Sequence, residues 1–190
     1  MNLPRWLILV SAVALVALSA LVLTLAGRLR TAVRDNAELR REAALPHRGL
    51  VVPTFRANTV AGDHAVIGTD ADSNARQLLL VFTSSCPVCR ATLPLWVQLA
   101  DSLKRLGGRV AVYGISLDSP DSSRAFVEAN RIPFPVVMLP ERKLIPLYRI
   151  SAVPQSIVVS SKGVVTFAKT GRLNKASLDS LYSAVTAGRL

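Results

Sequence analysis

Gln77-Leu78-Leu79-Leu80-Val81-Phe82-Thr83-Ser84-Ser85-Cys86-Pro87-Val88-Cys89 sets the architecture of this chain. A short, unbroken apolar run closed by a cluster of hydroxyl residues reads as a strand buried on both faces. From Cys89 to Leu106 the apolar residues Leu93, Val97, Leu99 and Leu103 recur at helical spacing, and Gly107-Gly108 supplies a stop. The chain's only two cysteines therefore meet at a strand-to-helix corner. Cys86 falls at the start of the helix, where unpaired N–H groups and the helix dipole favour a thiolate. Pro87 suits the first helical position, which needs no N–H. A thiolate is the attacking form of cysteine, so Cys86 reads as the nucleophile, and Cys89, one turn deeper, as the thiol that later attacks Cys86. Val88 is apolar and lends the motif no charge.

Other uses of two thiols fit less well. Structural zinc needs four ligands, and only His47 and His64 remain, both distant in sequence. Covalent haem c needs histidine at position 90, which is Arg90. A Cu(I) site built from two soft thiolates stays open as an alternative. So does peroxidase chemistry, since Thr83 stands three residues before Cys86; the proline that such enzymes carry four residues before that threonine is here Leu79.

The pattern around this corner is that of a compact α/β domain over residues 49–190. Leu50 to Val52 and Thr59 to Gly68 read as short extended pieces, with Gly62-Asp63 a turn. Val110 to Ser116 is a second buried strand, and Ser122 or Ser123 is placed to cap a helix carrying Phe126 and Val127. Ser156 to Val159 and Val164 to Phe167 flank Ser160-Ser161-Lys162-Gly163 as an antiparallel hairpin, and Asn174 opens a last helix through Leu178, Leu181 and Val185. The order is a βαβ unit followed by ββα.

In that order and spacing the chain resembles the thioredoxin superfamily, and within it the membrane-anchored TlpA/ResA-like branch. The resemblance covers roughly Gly49 to Ala187. It rests on Cys86-Pro87-Val88-Cys89 after a strand, Pro94 in the following helix, Ile132-Pro133-Phe134-Pro135-Val136-Val137, Tyr148-Arg149-Ile150, Val153-Pro154-Gln155 before a strand, and the Lys162-Gly163 turn. The anchor followed by Thr83 to Cys89 is also similar to the thioredoxin-like accessory proteins of methylamine dehydrogenase maturation. The resemblance implies a thioredoxin-like fold, a central mixed sheet flanked by helices, and a thiol:disulfide oxidoreductase whose only redox group is a Cys86–Cys89 disulfide. It implies that Pro154 is cis, although only about 5–6% of X–Pro bonds in folded proteins are. Val153 and Pro154, with Pro87 and Val88, would then form the docking face for a substrate backbone, and the proline would keep metal off the sulfurs.

Three positions depart from the pattern. Ser85 stands where many relatives have Trp, Leu80 where thioredoxin has a buried Asp, and Thr92 where ResA-like proteins have Glu. The carboxylates that would tune or deprotonate Cys89 are absent from those sites, which leaves water or a hydroxyl such as Thr92 for the proton, with Arg90 adding local positive charge. The motif does not fix the direction of electron flow. Proteins of this fold span roughly −270 to −120 mV, about 7 kcal/mol at roughly 1.4 kcal/mol per 30 mV. Anchored relatives mostly reduce specific extracytoplasmic disulfides in cytochrome or metalloenzyme maturation.

Ahead of the domain, and after a flank of residues 1–6, Leu7 to Ala26 carries no charge and would cover about 30 Å as a helix, the hydrocarbon thickness of a bilayer. It is longer than an ordinary signal-peptide core, and no clean Ala-x-Ala site follows, so an uncleaved anchor is the expectation. Residues 27–48 form a helical stalk with Leu25, Leu29, Ala32, Asn36, Leu39 and Ala43 on one seam, an Arg34–Glu38 pair, and Pro46 as its end. That seam offers at most a weak homodimer. Arg28, Arg30, Arg34, Arg40 and Arg41 after the span would, by the positive-inside rule, hold the domain in the cytoplasm. The family implies the opposite, a single-pass protein of the cytoplasmic membrane with a periplasmic catalytic domain, protein dithiol or disulfide clients and a membrane-embedded electron donor. The net charge of +11 suits contact with anionic lipid, whereas 5% aromatic residues and no basic run interleaved with aromatics argue against nucleic acid.

Overall fold

The structure, a computed structural model, describes residues 5–68, 75–105 and 109–187. The chain divides into two compact units, residues 1–43 and 44–190. The first is one helix, α1 (Arg5–Ala43), without a break between the apolar segment and the stalk. Within it Val13–Ala37 is long and apolar enough to cross a membrane, with a mean hydropathy of 1.8. The side chains of Glu38 and Leu39 in the stalk lie outside the described set.

The second unit is built on a mixed five-stranded sheet. Its strands are β3 (Arg76–Phe82), β4 (Val110–Ser116), β5 (Val136–Met138), β6 (Gln155–Val159) and β7 (Val165–Thr170), in the spatial order β5-β4-β3-β6-β7. β3, β4 and β5 are parallel; β6 and β7 run antiparallel to them. β3 is the central strand. From Gln77 onward it is buried throughout, as an apolar run with neighbours on both edges and cover on both faces must be.

Alternation along β3 separates two cores. Leu78, Leu80 and Phe82 face α2 (Pro87–Lys104), α3 (Pro120–Asn130) and α5 (Lys175–Thr186), through Cys89, Leu93, Trp96, Leu99, Leu103, Phe126, Leu181 and Val185. Leu79 and Val81 face the other way, towards α4 (Leu144–Leu147), Tyr148 and a two-stranded hairpin of β1 (Phe55–Asn58) and β2 (His64–Ile67). That hairpin is held to the sheet by buried polar groups. Gln77 donates its amide N–H to the Val66 carbonyl at 2.8 Å and accepts the Gly68 N–H at 2.8 Å, and Tyr148 donates its hydroxyl to the Pro53 carbonyl at 2.6 Å.

Most expected elements form where the sequence placed them, β4 at the same bounds. Leu106 and the Gly107-Gly108 stop lie outside the described residues. One cap differs. α3 begins at Pro120 with Ser119 as N-cap, whose hydroxyl accepts the Ser122 N–H at 3.4 Å, so neither Ser122 nor Ser123 is the cap. A proline is pre-set for the first helical position and starts the helix ahead of both serines. β1, the edge strand β5 and the single turn of α4 are additions, three or four residues each and too short for periodicity to reveal, while the expected piece Leu50 to Val52 contributes only an isolated pairing of Val51 with Val164.

Gly68 has φ +103, and a Cβ there would lie 2.5 Å from the Pro53 carbonyl oxygen and 2.6 Å from the Tyr148 hydroxyl. Gly68→Ala is therefore expected to cost about 1–3 kcal/mol, seen as a lower urea midpoint. An unchanged midpoint would contradict this account of how the hairpin is fastened.

Candidate active site

β3 hands the chain to α2 through the corner Thr83-Ser84-Ser85, and Cys86 is the N-cap residue of α2. Its sulfur accepts the Cys89 N–H at 3.2 Å, filling one of the helix's unpaired donors, and Pro87 occupies the first helical turn. Both sulfurs are free thiols, Cys86 half-buried and Cys89 only 1% exposed. Val88 between them is 42% exposed, an apolar side chain presented to solvent beside Cys86.

Opposite lies the entry to β6. The Val153–Pro154 bond is cis, as the resemblance implied, and the Cys86 thiol lies 3.9 Å from the Val153 carbonyl oxygen. The Pro154 carbonyl is taken by the Gly171 N–H at 2.8 Å, whereas neither backbone group of Val153 makes a backbone hydrogen bond among the described residues. A half-buried peptide edge beside an accessible thiol is an arrangement an extended partner strand can pair with. Cys86, Cys89, Pro87, Val88, Val153 and Pro154 are thus brought to one end of the sheet.

The surroundings of Cys89 hold its proton in place. Burial is the largest cause, followed by the hydrogen bond with Cys86 and the charges of Cys86 and Asp118, against a backbone hydrogen bond from Thr83; together they push the thiol from 9.0 to about 12. Leu80 is fully buried in the same cluster, and the fully buried Thr92 gives its hydroxyl proton to the Val88 carbonyl at 2.8 Å. Neither residue replaces the carboxylate it stands for. The carboxylate that Cys89 does feel is Asp118, which follows β4 and accepts the Ser84 N–H at 2.5 Å. The sequence patterns do not single out Asp118. The available signal was its place just past the carboxyl end of the strand next to β3, where parallel α/β sheets gather functional groups.

Among the described residues no group of three or more His, Cys, Asp and Glu is placed to hold a metal. Gln155, next after the cis proline, is fully buried and leaves its Oε1 without a partner.

Fold and site together define a thioredoxin-like protein of the thiol:disulfide oxidoreductase class. Over residues 49–168 the chain matches the AhpC/TSA family, and it belongs to that family. The sporulation thiol-disulfide oxidoreductase A of Bacillus subtilis (strain 168) is 24% identical over 132 residues, 67% of this chain and 77% of that protein. The crystal structure of StoA from Bacillus subtilis superposes with a TM-score of 0.60 at 23% identity, over 71% of this chain and 98% of that one. Peroxidoxin BcpB from Mycobacterium tuberculosis gives 0.63 at 16% identity, over 76% and 99%. At such identities the structural likeness is one of fold.

Because the shift of Cys89 is upward, its thiol stays protonated from the ordinary ionisation near pH 9.0 up to about 12. Iodoacetamide added to the reduced protein at about pH 9 should label Cys86 and spare Cys89 in peptide mass spectra. Equal labelling of both would contradict the burial described.

Proposed function

We propose that the protein reduces disulfides of extracytoplasmic client proteins while anchored in the cytoplasmic membrane by α1. The observation that carries this reading is the half-buried Cys86 sulfur set against the Val153 carbonyl beside the cis proline. Cys86, as thiolate, attacks one sulfur of a client disulfide; that S–S bond breaks and the other client sulfur leaves as a thiolate and takes a proton. Cys89 then loses its proton and attacks the Cys86 sulfur, and the second client thiolate departs. Two electrons pass to the client, and the protein is left with a Cys86–Cys89 disulfide, its only redox group, for a membrane-embedded donor to reduce. Val153 and Pro154 align the client backbone, and Pro87 and Val88 give it an apolar surface. The oxidising side of the membrane is where such selective reduction is useful, and clients of cytochrome or metalloenzyme maturation type fit an anchored reductant.

Cys89→Ser should accumulate mixed disulfides with client proteins on non-reducing gels, and Cys86→Ser should not. Trapping by both variants, or by neither, would sink these roles. A reporter active only in the cytoplasm, fused after Leu190, should stay silent; its activity would overturn the extracytoplasmic placement.

A second reading is a thiol peroxidase, favoured by the family itself and by the likeness to a peroxidoxin. Peroxide consumption that disappears in Cys86→Ser, without client trapping in Cys89→Ser, would select it. Stoichiometric Cu(I) in protein purified without chelator, with no disulfide exchange, would instead select a copper-handling role.

A further inference from the structure

Three stretches of chain frame the unpaired Val153 edge. Residues 84–90 carry the thiol corner and residues 147–156 the cis proline. Residues 170–175 lie alongside, since Thr170 pairs with Gln155 and the Gly171 N–H donates to the Pro154 carbonyl at 2.8 Å. Together these stretches hold Arg90, Arg149, Arg172 and Lys175, and no Asp or Glu. Arg90, Arg172 and Lys175 are exposed, and none of the three forms an ion pair among the described residues. The carboxylates that follow β4 and β5 are otherwise engaged. Asp118 is half-buried and accepts the Ser84 N–H at 2.5 Å, Asp121 pairs with Arg124 at 3.6 Å, and Glu141 pairs with Lys143 at 2.5 Å.

The two helices that begin here depart from the ordinary charge preference. Neither α2 nor α5 has an acidic residue in its first turn, and α5 opens on Lys175, although the N-terminal end of a helix disfavours positive charge. Arg90 is also held in place. Its Nε and Nη2 donate to the Ser84 carbonyl at 3.0 and 2.8 Å, which fixes where the charge sits without cancelling it. Positive charge gathered around an accessible thiol and an unpaired peptide edge draws anions to that edge, and charge complementarity of this kind sets encounter rates and turns away wrong partners.

We propose that the client segment taken at this site is acidic: an extended stretch whose cysteine lies beside Val153, with Asp or Glu flanking that cysteine, met by Arg90 from α2 and by Arg172 from the end of β7. The proposal names the substrate class of the disulfide reductase described above and rests on that reading. Val88 supplies the apolar contact and the arginines supply the selection, so segments with basic flanks are poor clients.

The test uses the full, reduced chain in a neutral detergent and disulfide-linked peptide dimers whose single cysteine is flanked on both sides by Asp, by Asn or by Lys. Attack by Cys86 breaks the dimer's S–S bond and releases one peptide thiolate, which takes a proton. Cys89 then loses its proton to solvent and attacks the Cys86 sulfur, releasing the second peptide, so two electrons pass from protein to dimer. Each rate is divided by that of dithiothreitol with the same dimer, which removes the dimer's intrinsic reactivity. At about 10 mM salt the Asp dimer should be preferred to the Lys dimer about tenfold, falling to about threefold or less at about 0.5 M, where exposed charges are screened. Arg172→Glu should bring the preference close to unity, and because it is a ratio measured on one protein, any loss of folded fraction cancels. Arg109→Glu makes the same change of charge at the residue before β4, the end of that strand away from the dithiol, and should leave the ratio as it is. Equal loss in the two variants would assign the effect to net charge and overturn the proposal, as would a preference for the Asn or Lys dimer, or one undiminished by salt. Failure to reduce any of the dimers would instead defeat the dithiol reading itself.

Discussion

The antiparallel register of β3 with β6 is the constraint on which the site depends. Its last rung pairs Val81 with Gln155. β3 ends one residue beyond Val81, at Phe82, where the dithiol corner begins, and one residue before Gln155 stands the cis proline, so a single pairing sets the two halves of the site side by side. The register is pinned by side chains on both faces. Leu80 opposes Ser156, whose hydroxyl accepts the Trp96 indole N–H at 2.9 Å, while Leu79 opposes Ile157 in the other core. A slip of one residue would turn each of these to the wrong face and move Val153 away from Cys86.

The same constraint explains what was legible in the sequence. Leu78 to Phe82 could only be a strand covered on both faces, and cysteines placed at its exit could only be at a helix start; those readings need no partner elsewhere in the chain. The thioredoxin-like order of elements followed from the spacing of the remaining apolar runs. Pro154 was different. Nothing in its neighbours marks a cis bond, and resemblance alone supplied it. β5 escaped notice because its three residues are defined by hydrogen bonds to β4 rather than by any pattern of their own.

Asp118 and Arg90 illustrate the limit more sharply. The carboxylate near Cys89 was sought at positions 80 and 92, on the elements that carry the dithiol, and found on neither. It arrives from the neighbouring strand, 29 residues beyond Cys89 in sequence, where only the parallel pairing of β3 and β4 brings it close. Arg90 was recognised as a charge, but a charge read from sequence has no direction. Its two hydrogen bonds to the Ser84 carbonyl give it one, inward to the backbone rather than outward to a partner.

The depth of Cys89 also bears on how the site endures oxidants. A peroxide would meet Cys86 first, because of the two thiols it is the one open to solvent, and would leave it a sulfenic acid. On the dithiol mechanism proposed above, Cys89 would then give up its proton and attack that sulfur, expelling water and closing a Cys86–Cys89 disulfide. Oxidation would then stop at a disulfide, which a dithiol donor reverses, before the irreversible sulfinic and sulfonic acids form. Burial of the second sulfur thus makes the first one expendable without making it perishable.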